Sequence, residues 1–283
     1  CKKALGGLTM DLIRADLHLH STASDGTWLP QELVAAAKQA NLGAIAVTDH
    51  ESIANVAETE KYAFDAGLKF VRGVEISTTK GETSFHVLGY GINIADKRLL
   101  ELLDHNEHLL AKKDEDSIRI LAEKGWPVSL KEFHGYEYDR CRGGWKALCY
   151  LQDKGLCADI MDFFNRIFTK ENKLGFPVFP SIAETIDVIH NAGGVAILAH
   201  AASEMHGPGL AGTMAEMALE KFDGFECYHS KHNEEDTRKL LEHCQNNNLL
   251  ISGGSDCHGD FVKSRVIGDP EIFTKNLNLP GLL

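Results

Sequence analysis

Two short patterns of histidine and carboxylate stand out, His18-Leu19-His20 and Asp256-Cys257-His258. On a β-strand, residues i and i+2 point to the same side, so each pattern can aim two ligands at one ion. Other metal-capable residues close apolar runs. Asp49-His50 follows Ala44–Thr48, Glu75 follows Phe70–Val74, His200 follows Val195–Ala199, and Asp25 lies just beyond the first pair. A lone histidine at a strand end is ordinarily a hydrogen-bonded core residue. Several strands that all finish in His, Asp or Glu form a convergent set, and buried carboxylates without partners are costly. Imidazole and carboxylate without thiolate suit Mn²⁺, Fe²⁺ or Zn²⁺. Ions about 3.5–4 Å apart lower the pKa of a shared water and clamp phosphoryl oxygens.

Such a set needs strands that end on one face. The first hundred residues alternate accordingly. Leu12–Leu17 is a short apolar run, and Pro30–Ala40 has Leu33, Val34 and Ala37 at helical spacing. Ala44–Val47 reads as a buried strand. Ile53, Val56, Ala57 and Phe64 mark a helix closed by Gly67, and Phe70–Val74 and Val87–Ile92 read as strands. The alternation resumes with helices at Ile182–His190, Met214–Phe222 and Glu234–Cys244, and strands at Val195–Ala199, Phe225–Tyr228 and Leu249–Ser252. Seven strands with intervening helices predict a parallel, barrel-like α/β core with its site at the C-terminal strand ends. The charged, helix-like stretch over 99–180, punctuated by Gly125, Pro127, Gly143-Gly144 and Gly175, reads as an insertion capping the barrel mouth. The predicted division is 10–98 and 181–283 for the barrel and 99–180 for the cap.

Composition sets the class. With 283 residues, 43% hydrophobic and 25% charged, the chain fits one barrel-sized enzyme. No apolar run reaches the ~18 residues of a membrane helix, and Cys1 to Arg14 lacks the apolar core of a signal peptide. Seven scattered cysteines without a Cys-x-x-Cys pair predict reduced thiols in a cytoplasmic protein. A net charge of −12 argues against an extended nucleic-acid partner but not against a small phosphorylated substrate.

The segments Asp16-Leu17-His18-Leu19-His20-Ser21, Ser24-Asp25-Gly26, Val47-Thr48-Asp49-His50, Gly73-Val74-Glu75-Ile76-Ser77, His86-Val87-Leu88-Gly89, Leu198-Ala199-His200 and Gly254-Ser255-Asp256-Cys257-His258 resemble the PHP (polymerase and histidinol phosphatase) family of the amidohydrolase superfamily. The likeness is greatest to its stand-alone 3′,5′-nucleotide bisphosphate phosphatases and cyclic sugar-phosphate phosphodiesterases. It implies a distorted (β/α)7 barrel with a helical capping insertion and three divalent metal ions, Mn, Fe or Zn. By the same resemblance His18, His20, Glu75 and Asp256 hold the first ion. Glu75 bridges to the second, completed by His86 and His200, and Asp25, His50 and His258 hold the third. The implied activity is hydrolysis of a phosphoester in a cyclic sugar phosphate or a bisphosphate by a metal-activated hydroxide, without a protein nucleophile. Asp16 and Asp49 are expected to orient imidazoles from behind the ligands. An RNA-end-trimming nuclease, a histidinol-phosphate phosphatase and a non-catalytic metal-binding module are the alternatives.

The departures from the family face the substrate. In the insertion, Arg142-Gly143-Gly144-Trp145-Lys146 replaces an arginine-histidine-arginine motif, and no arginine follows His200-Ala201-Ala202-Ser203. Arg142 and Lys146 are expected to clamp phosphate, since a guanidinium binds two oxygens at once. Gly143-Gly144 would let a ligand approach the backbone, and Trp145 would stack on a base or pack between helices. His206, His229 and His232 are further candidates for substrate contact, whereas His105 and His108 read as part of a solvated helix face.

Overall fold

The computed structural model describes residues 12–203 and 209–283. Seven strands lie side by side in sequence order: β1 (Ala15–Asp16), β2 (Ala44–Val47), β3 (Lys69–Lys80), β4 (Thr83–Tyr90), β5 (Val195–Leu198), β6 (Gly224–His229) and β7 (Leu250–Gly254). The Leu17 amide donates to the Gly253 carbonyl at 3.2 Å, and Leu19 bridges Cys257 in parallel, so the last strand returns to the first. The result is a nearly closed seven-stranded α/β barrel. Every residue of β2 is buried, as expected for a strand covered on both faces.

One strand departs from the parallel pattern. β4 runs antiparallel to both β3 and β5. A parallel pair needs a crossover of a dozen or more residues. Only Gly81 and Glu82 separate these two strands, and Gly81 has the positive φ (+62°) of a tight turn. The hairpin also carries β3 to Lys80, well beyond the predicted end.

Helices α1 (Pro30–Gln39) and α2 (Val56–Asp65) pack outside β2 and β3. Pro30 opens α1, the Glu32 carboxylate caps the Leu29 amide at 2.9 Å, and Leu33, Val34 and Ala37 are buried. Phe64 is 82% exposed and does not contribute to the core. The next helix, α3 (Lys97–Glu123), starts at Asp96, whose side chain accepts from the Leu99 amide. At 27 residues it is roughly 40 Å long, and it serves two cores. Leu99, Leu102 and Leu103 join the barrel cluster, while Ile118 and Leu121 join a second cluster with Phe133, Leu148, Phe163 and Phe168. Each such side chain contributes about 1.5–3 kcal/mol when fully buried, so α3 fastens the cap to the barrel.

The second cluster is built by α4 (Leu130–His134), α5 (Lys146–Asp153) and α6 (Ile160–Asp162), which runs on into a π-helical turn over Phe163–Ile167. The barrel resumes with α7 (Ile182–Asn191), α8 (Leu210–Met217) and α9 (Glu234–Asn247). α8 lies earlier than its periodicity predicts. Phe222, expected at its end, is instead buried in the barrel core just before Asp223, whose amide is held by the Ala196 carbonyl at 2.9 Å. Among the described residues, no helix is long and apolar enough to cross a membrane.

Candidate metal centre

The site forms because strand ends change direction sharply. Asp256, His200 and Glu51 have φ values of +57°, +29° and +51°, conformations costly for residues other than glycine. Such strain persists where the surroundings over-determine it. β7 approaches β1 so closely that a Cβ on Gly254 would lie 2.4 Å from the His18 Cβ, so only glycine fits there.

Glu75, at the middle of β3 and fully buried, faces five imidazoles. Its Oε1 lies 2.9 Å from His200 Nε2 and 3.0 Å from His86 Nδ1. Its Oε2 lies 3.1 Å from His18 Nε2, 3.2 Å from His20 Nε2 and 3.3 Å from His50 Nδ1. Asp256 Oδ1 is 3.2 Å from His20 Nε2 and 3.5 Å from His18 Nε2. Asp25 Oδ1 is 3.3 Å from His258 Nε2.

Among the described residues the ligand-type atoms fall into overlapping groups: His18, His20, Glu75 and Asp256; His20, Asp25, His50 and His258; His50, Glu75 and His86; and His18, Glu226 and His229. The first is the set inferred from sequence for one ion. The second adds His20 to the predicted third set. His50 borders Glu75 as well, so it stands between groups. His200 reaches the centre through Glu75 and through His86, whose Nδ1 is 3.3 Å from its Nε2.

The chemistry of this donor set fits cations. His20 Nε2 is buried and makes no directed hydrogen bond, although two carboxylate oxygens lie 3.2 Å away. The protein groups alone pull the imidazoles in opposite directions. Burial disfavours a charged His20, yet Asp256 and Glu75 hold its pKa up to about 10, while burial pushes His50 down to about 3. Neutral imidazoles with their lone pairs on shared cations relieve this conflict.

Glu226, on β6 and fully buried, was not singled out from sequence. Its Oε1 lies 2.9 Å from His18 Nδ1, which leaves Nε2 to face the centre, and its Oε2 accepts from the His200 amide at 2.7 Å. A lone acid inside the apolar run Phe225–Tyr228 was the available signal. Arg265 was also missed. Its Nη1 is 2.6 Å from Asp256 Oδ2, and nothing in the spacing of a loop arginine reveals that contact.

Several expectations are corrected. Asp16 and Asp49 touch no imidazole directly, although the Ser24 hydroxyl lies between Asp49 and His20 Nδ1, at 2.6 and 3.5 Å. Asp16 accepts from the Ser255 amide and hydroxyl and from the Gly268 amide, and Asp49 from the Ser21 amide and the hydroxyls of Ser21 and Ser24, so both shape loops. Arg142 is not a free phosphate clamp, because both its terminal nitrogens pair with Asp153, at 2.8 and 2.9 Å. Lys146 lies over the Phe133 ring at 4.8 Å and reaches only the His134 carbonyl. Arg140, two residues before Arg142, crosses from cap to barrel, donating to the Ala23 carbonyl at 3.0 Å near Asp25. Among the described residues it has no carboxylate partner. His229 is buried with Nε2 3.3 Å from Asp256 Oδ2, and both ring nitrogens of His232 are engaged, with the Cys227 carbonyl and the Ala202 amide. Both also line an open surface cavity with Tyr228 and Arg238. His206 lies outside the described residues.

Comparison with known proteins places the chain among metal-dependent phosphoesterases. The pattern of the PHP domain family matches residues 16–151. The 5′-3′ exoribonuclease Rnm of Salmonella typhimurium is 29% identical over 256 residues, covering 86% of this chain and 84% of its own length. The 3′,5′-nucleoside bisphosphate phosphatase of Chromobacterium violaceum is 26% identical, covering 90% of this chain and 91% of its own length. Among solved structures, an amidohydrolase from Chromobacterium violaceum superposes with a TM-score of 0.77 at 23% identity, over 95% of this chain and 92% of that one, a likeness of fold.

Proposed function

This chain belongs to the PHP domain family and is a metal-dependent phosphoesterase, and from that premise we propose that it hydrolyses a phosphoester on a phosphorylated nucleotide, with a nucleoside 3′,5′-bisphosphate as the leading substrate. The observation that carries the reading is Glu75, one buried carboxylate set against five imidazoles. In this proposal His18, His20, Glu75 and Asp256 hold one divalent ion, Glu75, His86 and His200 a second, and Asp25, His50 and His258 a third. Bound there, Mn²⁺, Fe²⁺ or Zn²⁺ supplies Lewis acidity and lowers the pKa of water.

The chain's own groups do the rest. Glu226 fixes the ring orientation of His18, and the Asp256 carbonyl, 2.7 Å from His258 Nδ1, leaves His258 Nε2 facing Asp25. Arg140 places positive charge at the Asp25 side of the mouth. Cys257 takes no part, since it is buried and burial pushes its thiol up to about 11.

The Salmonella relative supports a second reading, in which the scissile bond lies at the phosphorylated end of a short RNA. The net charge of −12 acts against broad RNA binding, not against a local track. A phosphate-release screen of Mn²⁺-loaded protein separates these readings. It spans nucleoside 3′,5′-bisphosphates, cyclic sugar phosphates, histidinol phosphate and short 5′-phosphorylated RNA. We expect turnover of the bisphosphates, abolished by a chelator and restored by Mn²⁺. Turnover confined to histidinol phosphate, or none at all in protein that binds metal, overturns the proposal.

A further inference from the structure

The two carboxylates at the heart of the centre leave different numbers of oxygens for an ion. Both oxygens of Glu75 face imidazoles, which suits a bridge. Asp256 turns only Oδ1 toward His18 and His20, at 3.5 and 3.2 Å. Its Oδ2 is already taken. Arg265 Nη1 lies 2.6 Å from it and His229 Nε2 3.3 Å. His229 is the donor in its contact, because its Nδ1 accepts from the Lys231 amide at 3.0 Å and leaves the proton on Nε2. The group His18, Glu226 and His229 is therefore no ion site. Glu226 accepts from His18 Nδ1, and neither imidazole turns a lone pair into that group.

Arg265 is held for this contact from both ends of its loop. The Asp260 amide donates to Thr27 Oγ1 at 2.9 Å, and the Gly268 amide to Asp16 Oδ2 at 2.8 Å. Asp16 also accepts from the Ser255 amide at 2.9 Å. One carboxylate thus braces both the residue before Asp256 and the loop that carries its partner. On the cap side the loop is seated by Phe261. A Cβ on Gly143 would lie 2.5 Å from the Phe261 Cβ, and one on Gly144 3.0 Å from its ring, so these glycines accommodate Phe261 and not a ligand at the backbone. The Arg265 Nε is buried without a hydrogen-bond partner, which is costly, and a buried ion pair is weak evidence for a gain in stability. What the arginine does to Asp256 is the better account of its place.

We propose that Arg265 and His229 are positioning residues of the metal centre, which occupy Asp256 Oδ2 and so limit this carboxylate to one ion through Oδ1. The role rests on the reading of Asp256 as a metal ligand. A carboxylate freed at Oδ2 can take its ion with both oxygens or swing toward a neighbouring one. Either change disturbs a site in which His18, His20, Glu75 and Asp256 each offer one atom.

The test is titration of the full chain, stripped of metal, with Co²⁺, followed by visible absorption and by metal analysis. Arg265→Met keeps the aliphatic stem and removes the charged donor. It is expected to weaken uptake of one ion about ten- to hundredfold, while the other two bind as in the wild type. It should also lower the absorption of that ion, as a second Asp256 oxygen raises its coordination number. Arg265→Lys, which keeps the charge, recovers most of the affinity. His229→Leu weakens the same ion to a smaller extent, and His229→Gln, whose amide still donates to Oδ2, restores it. Wild-type affinity and an unchanged spectrum in Arg265→Met overturn the role. So does an equal loss of every ion in Arg265→Met and Arg265→Lys together with a fallen Tm, the outcome for a residue that only holds the fold. His229→Gln and His229→Leu binding alike overturn the part assigned to His229. A wild type that takes up no Co²⁺ overturns the metal-centre reading itself, an outcome distinct from normal wild-type uptake with indifferent variants.

Discussion

Asn106 Nδ2 donates to Glu51 Oε2 at 2.9 Å and to the Ser77 carbonyl at 3.0 Å, tying the middle of the cap helix α3 to the residue beside His50. The other Glu51 oxygen accepts from the Ser77 amide at 2.7 Å. All of these groups are buried, and burial pushes Glu51 up to about 7. Replacing Asn106 by Leu leaves two acceptors unpaired, at about 1–3 kcal/mol each. We expect a clear fall in Tm and, because the Glu51 loop carries His50, a loss of Mn²⁺ affinity and of kcat. Metal titration and kinetics check this. A lower Tm with metal binding and kcat both intact would show that the link is only structural.

Glu75 and His258 are predicted to differ in how many ions they control. Glu75 touches His18, His20, His50, His86 and His200, whereas His258 Nε2 faces Asp25. Glu75→Ala should therefore disturb two ions and abolish activity, and His258→Ala should remove one. Metal analysis of reconstituted wild-type protein should give about three ions per chain. A maximum of one ion in the wild type sinks the three-ion proposal.

Much of this site was legible because strand alternation is rigid. His18 and His20 share a face whatever the rest of the chain does, and a strand that closes on His or Glu delivers it to the barrel mouth. His86 was not legible from strand ends, because it sits inside the antiparallel β4, opposite Ser77, and the hairpin around Gly81 was read as two parallel strands. Glu226 went unread because one acid in an apolar run gives no spacing to interpret. Arg142 misled for a different reason. A basic residue in a cap looks free in sequence, and its neutralisation by Asp153, eleven positions later, depends on how α5 folds back.

Cys257 lies between two candidate ligands yet is 2% exposed, and burial raises its thiol pKa to about 11. A Cys257→Ser variant should keep most of its turnover, with a stability loss of about 1 kcal/mol from placing a hydroxyl in an apolar setting. Steady-state kinetics at matched metal content decides the matter. Near-total loss of turnover would point to thiolate chemistry that the burial of this group opposes.

The cap cations provide the last prediction. Arg142 holds Asp153 through two nitrogens at the surface, and Lys146 rests on the Phe133 ring. Exposed pairs of this kind contribute about 0–1 kcal/mol, and an exposed cation–π contact about 0.5–1 kcal/mol. Arg142→Ala and Lys146→Ala should therefore lower Tm slightly and slow substrates with one or two phosphates to the same small extent. Arg140 is different, its guanidinium held among the described residues by the Ala23 carbonyl beside the Asp25 turn and by no carboxylate. Arg140→Ala should raise KM for a nucleoside 3′,5′-bisphosphate about tenfold, as loss of a charged hydrogen-bond donor does. It should leave p-nitrophenyl phosphate, with its single phosphate, nearly unaffected. If Arg142→Ala instead shows the selective loss, the Asp153 pair must open when substrate binds, and the phosphate clamp lies on Arg142, not Arg140.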